Sequence, residues 1–403
     1  MKILHTSDWH LGHRLLEQSQ FDEQSLYLTW LLEFIAAQNI DIVLVSGDLF
    51  DTGVPSSQGQ KLYYDFLIHL KNTNCKYLIV TGGNHDAPST INAPKELLQA
   101  LSIHVVGKAT ENIEDEVFKL EVNGEEIIIA AVPYLRDQDI RRAIAGEDSQ
   151  DIKNRYKTAL INHYNEAAAH CQKLKSDNTV AIAMGHLFAV GGVTSDSEQT
   201  IYVGNLGDIG ANDFPSLFDY VALGHLHKAQ QIGAFNNIRY SGSPYMLSFS
   251  EANSIKKMVV IETQYGKIAD IKEVDVPKFR EITRIMGTVE SCIHQLEILD
   301  KNQNGLTPWV EVVLENDQNY SLGYPEITKA AEQMSLEVLK VTLKNERKIA
   351  GLESLIENAK HIKELTPIDV FKLKCKELNV DLDNDHELLN AFYEILQMSQ
   401  EGQ

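Results

Sequence analysis

No stretch of this sequence stays apolar for the roughly twenty residues that a membrane helix needs. Its start, Met1-Lys2-Ile3-Leu4-His5, lacks the basic-then-apolar pattern of a secretory leader and runs directly into a strand. A soluble, cytoplasmic protein is expected. Cysteine is sparse and scattered: Cys75, Cys171, Cys292 and Cys375 form no C-x-x-C pair, which argues against a zinc knuckle and a disulfide framework. Basic charge is also short, with 36 Lys and Arg against 57 Asp and Glu and a net charge of −21. DNA binding usually requires a basic footprint, so a nucleic-acid role here would draw its attraction from bound cations or a partner subunit. Internal repeats and low-complexity segments are absent from the sequence.

What remains is an ordinary globular composition, 43% hydrophobic and 23% charged over 403 residues, enough for two or three domains. The pattern strand, polar motif, helix occurs three times at the start. Lys2 to Thr6 runs into Ser7-Asp8-Trp9-His10-Leu11-Gly12, and Phe21 to Gln38 has helical spacing. Asp41 to Val45 leads to Ser46-Gly47-Asp48-Leu49-Phe50-Asp51, with a helix expected over Ser57 to Lys71. Tyr77 to Val80 leads to Thr81-Gly82-Gly83-Asn84-His85-Asp86. Such repetition reads as parallel β-α units with functional loops at the C-terminal strand ends.

Shorter strands follow at Ile103 to Val106, Val117 to Val122 and Glu126 to Val132, the last two joined by Asn123-Gly124, a hairpin signal. Arg136 to Asn178 reads as helical and solvent-facing. Two more strands end in histidine motifs, Thr179 to Met184 before Gly185-His186 and Tyr220 to Leu223 before Gly224-His225-Leu226-His227. Further β runs cover Ile238 to Ser241 and Lys257 to Ile271, with a turn at Tyr265-Gly266. The spacing then predicts strands at Arg280 to Val289, Trp309 to Leu314 and Leu336 to Leu343, with a helix over Ile327 to Met334. Residues 1–277 therefore form one domain, 278–345 a small α+β domain, and 346–403 a connector with two terminal helices. The first of these helices starts at Thr366-Pro367, an N-cap followed by proline at the first helical position.

Each polar motif taken singly has a dull explanation, a helix cap or a hydrogen-bonded surface residue. Five at the ends of successive apolar strands converge on one crevice in an open α/β sheet. Asp8, His10, Asp48, Asn84, His186, His225 and His227 then surround two cations. Carboxylate, imidazole and amide oxygen without thiolate suit Mn²⁺, Fe or Zn²⁺ better than copper or an iron–sulfur cluster. A carboxylate bridging two such ions holds them for in-line attack at phosphorus, and His85 is free to donate a proton.

The order Asp-x-His, Gly-Asp, Gly-Asn-His-Asp, Gly-His, Gly-His-x-His resembles the calcineurin-like metallophosphoesterases. Ser7 to Gly12, Ser46 to Asp51, Pro133-Tyr134-Leu135-Arg136 and Tyr240-Ser241-Gly242-Ser243-Pro244 narrow the resemblance to the SbcD family of bacterial nuclease subunits. It covers essentially the whole chain. The resemblance implies a four-layer α/β/β/α sandwich with a small capping domain and C-terminal helices. One ion is implied at Asp8, His10 and His227, the other at Asn84, His186 and His225, with Asp48 bridging. His85 is implied as the proton donor, with Asp86 steering its ring.

The same resemblance implies Mn²⁺-dependent 3′→5′ exonuclease action on double-stranded DNA and endonuclease action on single strands and hairpins. Its roles are DNA repair, recombination and replication. It also implies an SbcC-type ATPase partner and a homodimer within a heterotetramer. Relatives often carry a histidine where this chain has Asp51, so Asp51 is left outside the catalytic set. His13, Arg14, Arg136, Arg141 and Arg142 are the candidate DNA contacts. A phosphatase or cyclic-nucleotide phosphodiesterase on the same core is the alternative, since the motifs fix phosphoester chemistry and not substrate. A non-catalytic scaffold is a third reading, opposed by the His85-Asp86 pair, which holding the fold does not require.

Overall fold

The computed structural model describes residues 1–136, 139, 149–194, 209–301, 305–315 and 320–344. The chain divides into a compact unit Met1–Thr342 and a second unit Leu343–Gln403. The expected connector and terminal helices lie outside the described residues. In chain order the first unit begins β1 (Lys2–Thr6), β2 (Arg14–Leu15), β3 (Gln18–Ser19), α1 (Phe21–Gln38), β4 (Ile42–Ser46), α2 (Ser57–Leu70), β5 (Tyr77–Thr81), α3 (Pro88–Asn92), α4 (Lys95–Gln99) and β6 (Ile103–Val106). It continues β7 (Val117–Val122), β8 (Glu125–Ala131), α5 (Ser149–Leu174), β9 (Thr179–His186), β10 (Tyr220–Gly224), β11 (Gln230–Ile232), β12 (Phe235–Tyr240), β13 (Lys257–Gln264) and β14 (Lys267–Asp275). Last come β15 (Arg280–Gly287), α6 (Val289–Lys301), β16 (Leu306–Leu314), α7 (Tyr320–Ala331) and β17 (Glu337–Leu343).

Two six-stranded sheets result, ordered β14-β13-β1-β4-β5-β6 and β11-β12-β10-β9-β8-β7. In each, four neighbouring strands run parallel: β1, β4, β5 and β6 in the first, β12, β10, β9 and β8 in the second. Antiparallel strands complete both, β13 and β14 in one, β11 and β7 in the other. Side chains alternate across a strand, and β4 shows what that achieves. Ile42 and Leu44 enter the layer between the sheets with Ile79, Ile129, Ile182 and Met184. Val43 and Val45 face outward to pack with Leu31 and Ile35 of α1 and Phe66 of α2. Burial on both faces explains the near-continuous apolar reading of these strands.

On the outer face of the second sheet lies α5. The expectation of a solvent-facing helix there is corrected by the structure. Leu160, Tyr164, Ala167, Ala168 and Cys171 are buried against Ala181, Ala183 and Leu223. These positions form a helical stripe, but small alanines carry it, so the segment's polar average concealed it. Helix, sheet, sheet, helix make the four layers, and the chain is of the α/β class. Among the described residues, no helix is long and apolar enough to cross a membrane.

The third sheet, β15-β16-β17, joins this body through a cluster of Leu15, Met246, Phe249, Ile282 and Trp309. Arg280 stacks over the Trp309 ring at 4.0 Å and pairs with buried Glu23 of α1. Its helix α7 begins at Tyr320, earlier than the expected Ile327, and crosses Pro325. Proline lacks the N–H that would bond back to residue 321.

Candidate metal centre

Both sets of parallel strands deliver their C-terminal ends to one place. The loops after β1 and β4 are zipped together by backbone bonds, Asp8 N–H to Gly47 O and His10 N–H to Asp48 O, each 3.0 Å. Across the sheets, His225 N–H donates to Asp8 Oδ1 at 3.0 Å, and Ser46 Oγ–H to the Ala222 carbonyl at 3.0 Å. Asp8, His10, Asp48 and His225 all have positive φ (52°, 41°, 47° and 107°). Such conformations cost energy in residues that carry a Cβ and collect at functional sites.

Two glycines are required by space. A Cβ on Gly83 would overlap the Asp48 carboxylate, and one on Gly224 would overlap the Ser46 carbonyl of the facing sheet. Glycine stands at both places because the ligand-bearing backbones approach so closely.

Asp48 Oδ1 accepts the His85 N–H at 2.9 Å. That leaves Oδ2 between His186 Nε2 at 3.2 Å and His10 Nε2 at 3.6 Å. Asn84 Oδ1 lies 2.9 Å from His186 Nε2 and 3.1 Å from His225 Nδ1. His186 Nδ1–H donates to the Ser46 carbonyl at 3.0 Å, so its Nε2 lone pair points at oxygens with no proton to give. Asp8, His10 and His227 form a second buried group, with one ligand atom from each lying within 4.8 Å of the others. Neither ring nitrogen of buried His10 makes an aligned hydrogen bond. Acceptors converging without donors call for positive charge, and the donor set fits divalent cations.

The electrostatics agree. Burial resists charge on His186, but Asp48 and Asp8 outweigh it and lift the imidazole to about 9. Burial likewise opposes the Asp48 carboxylate, yet His186 and His10 hold it well below the usual range. In effect a proton on His186 stands where a cation belongs. Burial, helped by His186, depresses His225 to about 3. Burial takes His227 to about 4 against the pull of Glu251, and it lowers His10 too. Neutral imidazoles are the form that binds metal. Asp8 is raised by burial to about 7, a cost that a bound cation removes.

A family model described as calcineurin-like phosphoesterase matches residues 1–229. A second, described as the type 5 capsule protein repressor C-terminal domain, matches residues 278–378. The chain is 31% identical over 393 residues to the SbcD subunit of the nuclease SbcCD of Escherichia coli (strain K12), covering 97% of each. This chain belongs to the SbcD family of calcineurin-like phosphoesterases. The corresponding SbcCD nuclease subunit from Bacillus subtilis (strain 168) is 34% identical over 280 residues, 68% of this chain and 69% of that one.

Within this SbcD-family site, one expected role is corrected. Asp86 does not touch the His85 ring. Its carboxylate accepts the N–H groups of Leu49 (3.0 Å), Phe50 (2.9 Å) and Gly83 (2.9 Å), tying the loops after β4 and β5 together. The His85 ring is set instead by the Asp51 carbonyl, 2.8 Å from Nδ1. Three buried donors needed a carboxylate more than one imidazole did.

The expected DNA contacts divide. Arg14 is exposed and reaches the Glu17 carbonyl, whereas Arg136 Nη2 is spent on the Asp86 carbonyl at 2.7 Å. His13 is held between Asp51 (2.8 Å) and the Leu247 carbonyl (3.1 Å). Arg141 and Arg142 lie outside the described residues.

Sequence reading also missed a buried group behind His227. Glu251 stands 3.7 Å from His227 Nδ1 and pairs with Lys256 Nζ at 2.5 Å; that ammonium also reaches Ser243 Oγ at 2.7 Å. Nothing in the local pattern marks Glu251. The signal for Asp51 was its place in the Asp48-Leu49-Phe50-Asp51 stretch.

Proposed function

We propose that this chain is a DNA nuclease subunit that hydrolyses phosphodiester bonds with two divalent cations, Mn²⁺ in the cell. Asp8, His10 and His227 hold one ion, Asn84, His186 and His225 the other, and Asp48 serves both. The observation that carries this is Asp48 Oδ2, lying between His10 Nε2 at 3.6 Å and His186 Nε2 at 3.2 Å. Bound there, such a pair supplies a nucleophilic water at neutral pH and offsets phosphate charge.

The chain's own residues do the rest. Asp48 holds the His85 main chain through Oδ1, while the Asp51 carbonyl fixes the proton on His85 Nδ1. As the imidazolium, His85 would present Nε2–H to the leaving oxygen and protonate it as the phosphorus–oxygen bond breaks, returning to the neutral Nδ1–H tautomer that the Asp51 carbonyl favours. Asp86 braces the loops after β4 and β5, with Arg136 clamped on the Asp86 carbonyl, while the His85 ring is held by Asp51.

The wider proposal is 3′→5′ exonuclease action on duplex ends and endonuclease action on single strands and hairpins, in the cytoplasm. Its relatives from Escherichia coli and Bacillus subtilis, named as nuclease SbcCD subunits, support it. Residues 278–345 serve as a capping domain beside the DNA path. Residues 346–403 dock on an SbcC-type ATPase, in a heterotetramer built on a dimer of this chain. That assembly supplies the DNA grip that a net charge of −21 does not.

The test is cleavage of a labelled DNA hairpin with Mn²⁺, beside a small chromogenic phosphodiester. His85→Ala should lower hairpin cleavage by about 10²–10⁴-fold with Mn²⁺ content unchanged. Turnover of the small ester alone would sink the nuclease reading.

A further inference from the structure

Asp51 stands where three imidazoles meet. Its Oδ1 lies 2.8 Å from His13 Nδ1 and 3.3 Å from His10 Nδ1. Its carbonyl, by contrast, accepts from His85 Nδ1 at 2.8 Å. The Asp51 N–H donates to the Leu11 carbonyl at 3.3 Å, anchoring the residue to the loop that carries His10. His13 Nε2–H donates to Leu247 O at 3.1 Å, making His13 a strut that keeps the carboxylate from swinging away.

We propose that the Asp51 side chain is a positioning residue for the ion at Asp8, His10 and His227, while its main chain separately fixes the His85 tautomer. This rests on the two-cation reading. His10 Nε2 faces Asp48 Oδ2 and His10 Nδ1 faces Asp51, so the carboxylate lies behind the ring, opposite the ligating nitrogen. The 3.3 Å contact is not yet an aligned hydrogen bond; closed to one, a carboxylate in that place would orient a histidine ligand and raise its basicity.

The other ion has no such backing at His186, whose Nδ1 meets the neutral Ser46 carbonyl at 3.0 Å. Nor is Glu251 an equivalent behind His227, because Lys256 already takes much of its charge. Among the described residues, the Asp51 carboxylate meets the imidazoles of His10 and His13. The two ions are therefore held unequally, and the inequality is set at Asp51.

The experiment is calorimetric titration of Mn²⁺ into the full chain, stripped with chelator, for wild type, Asp51→Asn and His85→Ala. Melting in chelator reports the fold of each. Wild type should take up two ions. In D51N one ion should bind about 10–100-fold more weakly and the other as before. H85A should bind both as wild type does, since His85 carries no share of the affinity. The side-chain change leaves the main-chain carbonyl in place. Hairpin cleavage by D51N at saturating Mn²⁺ should therefore fall much less than in H85A, the loss appearing as a higher Mn²⁺ requirement.

Should D51N melt early in chelator, Asp51→Ser supplies the same reading with a smaller side chain. Two ions bound by D51N or D51S with wild-type affinity overturn the role of Asp51 and leave the two-cation reading standing. Fewer than two ions bound by wild type overturn both.

Discussion

The two large sheets bring different chemistry to one crevice. From loops beyond β1, β4 and β5 come the oxygen donors Asp8, Asp48 and Asn84, with His10 among them; from β9 and β10 come imidazoles alone, His186, His225 and His227. On the oxygen side the chain leaves its strands before presenting ligands, with left-handed backbone at Asp8, His10 and Asp48, and it relies on Asp86 to hold the loops. On the nitrogen side His186 is itself the last residue of β9 and needs no such brace. Left-handed backbone is commoner on the oxygen side, although His225 beyond β10 shares it with a φ of 107°; the gathered carboxylates repel one another until a cation arrives. Neither sheet alone is a complete site, so metal affinity should report how well the sheets are stacked.

That comparison can be broken by core truncations on either side of a sheet. Leu44→Ala, in the layer between the sheets, and Leu160→Ala, on the buried face of α5, each remove a buried leucine. Each should cost about 3–5 kcal/mol by denaturant unfolding. Only Leu44→Ala should also weaken Mn²⁺ uptake in calorimetry. Equal weakening by both would mean that stacking is not what the metal reads.

A smaller effect tests the brace. Asp86→Asn turns an amide NH₂ toward one of the three N–H donors and should destabilise by about 3 kcal/mol. Here the Mn²⁺ site should loosen while the His85 ring, held by Asp51, stays in register. Chemical shifts of the His85 ring that match wild type, beside a lowered melting temperature, are the expected result.

The smallest effect concerns His5, which sits between the sheets outside the ligand set. Burial, with Arg239 nearby, depresses it to about 3, and it bonds Tyr220 OH and the Leu223 carbonyl as a neutral ring. Its folded pKa lies below the ordinary histidine value of 6.5. The unfolded chain therefore binds the extra proton, and stability is full above 6.5 and lost as pH falls toward 3. Between pH 7 and 5 the loss should be on the order of 2 kcal/mol. His5→Gln should flatten that slope in urea titrations at the two pH values.

Much of this was legible in the sequence because it is local. Asn123-Gly124 and Tyr265-Gly266 each turn out to be paired left-handed residues closing a hairpin, as their types require. The strand-end motifs were legible for the same reason, a run of apolar residues followed by glycine and a donor. The role of Asp86 was not, because its partners Leu49 and Phe50 come from another loop. Proximity to His85 in the chain suggested a contact that the backbone's need for a carboxylate overrode. Glu251 and Lys256 were hidden for a related reason. Their position behind His227 exists only after the loop following β12 folds back.

The place of β1 has a consequence for the growing chain. It lies inside its sheet between β4 and β13. Strands β1, β4, β5 and β6 are all synthesised by Val106, but β13 begins only at Lys257. Translation between them takes on the order of ten seconds or more. Throughout that interval one side of the first strand offers unpaired backbone to any neighbouring nascent chain. A chain cut after Tyr240 would hold Asp8 through His227 and still leave that side open. The last strand to join the first thus guards the nascent protein against pairing with its own copies.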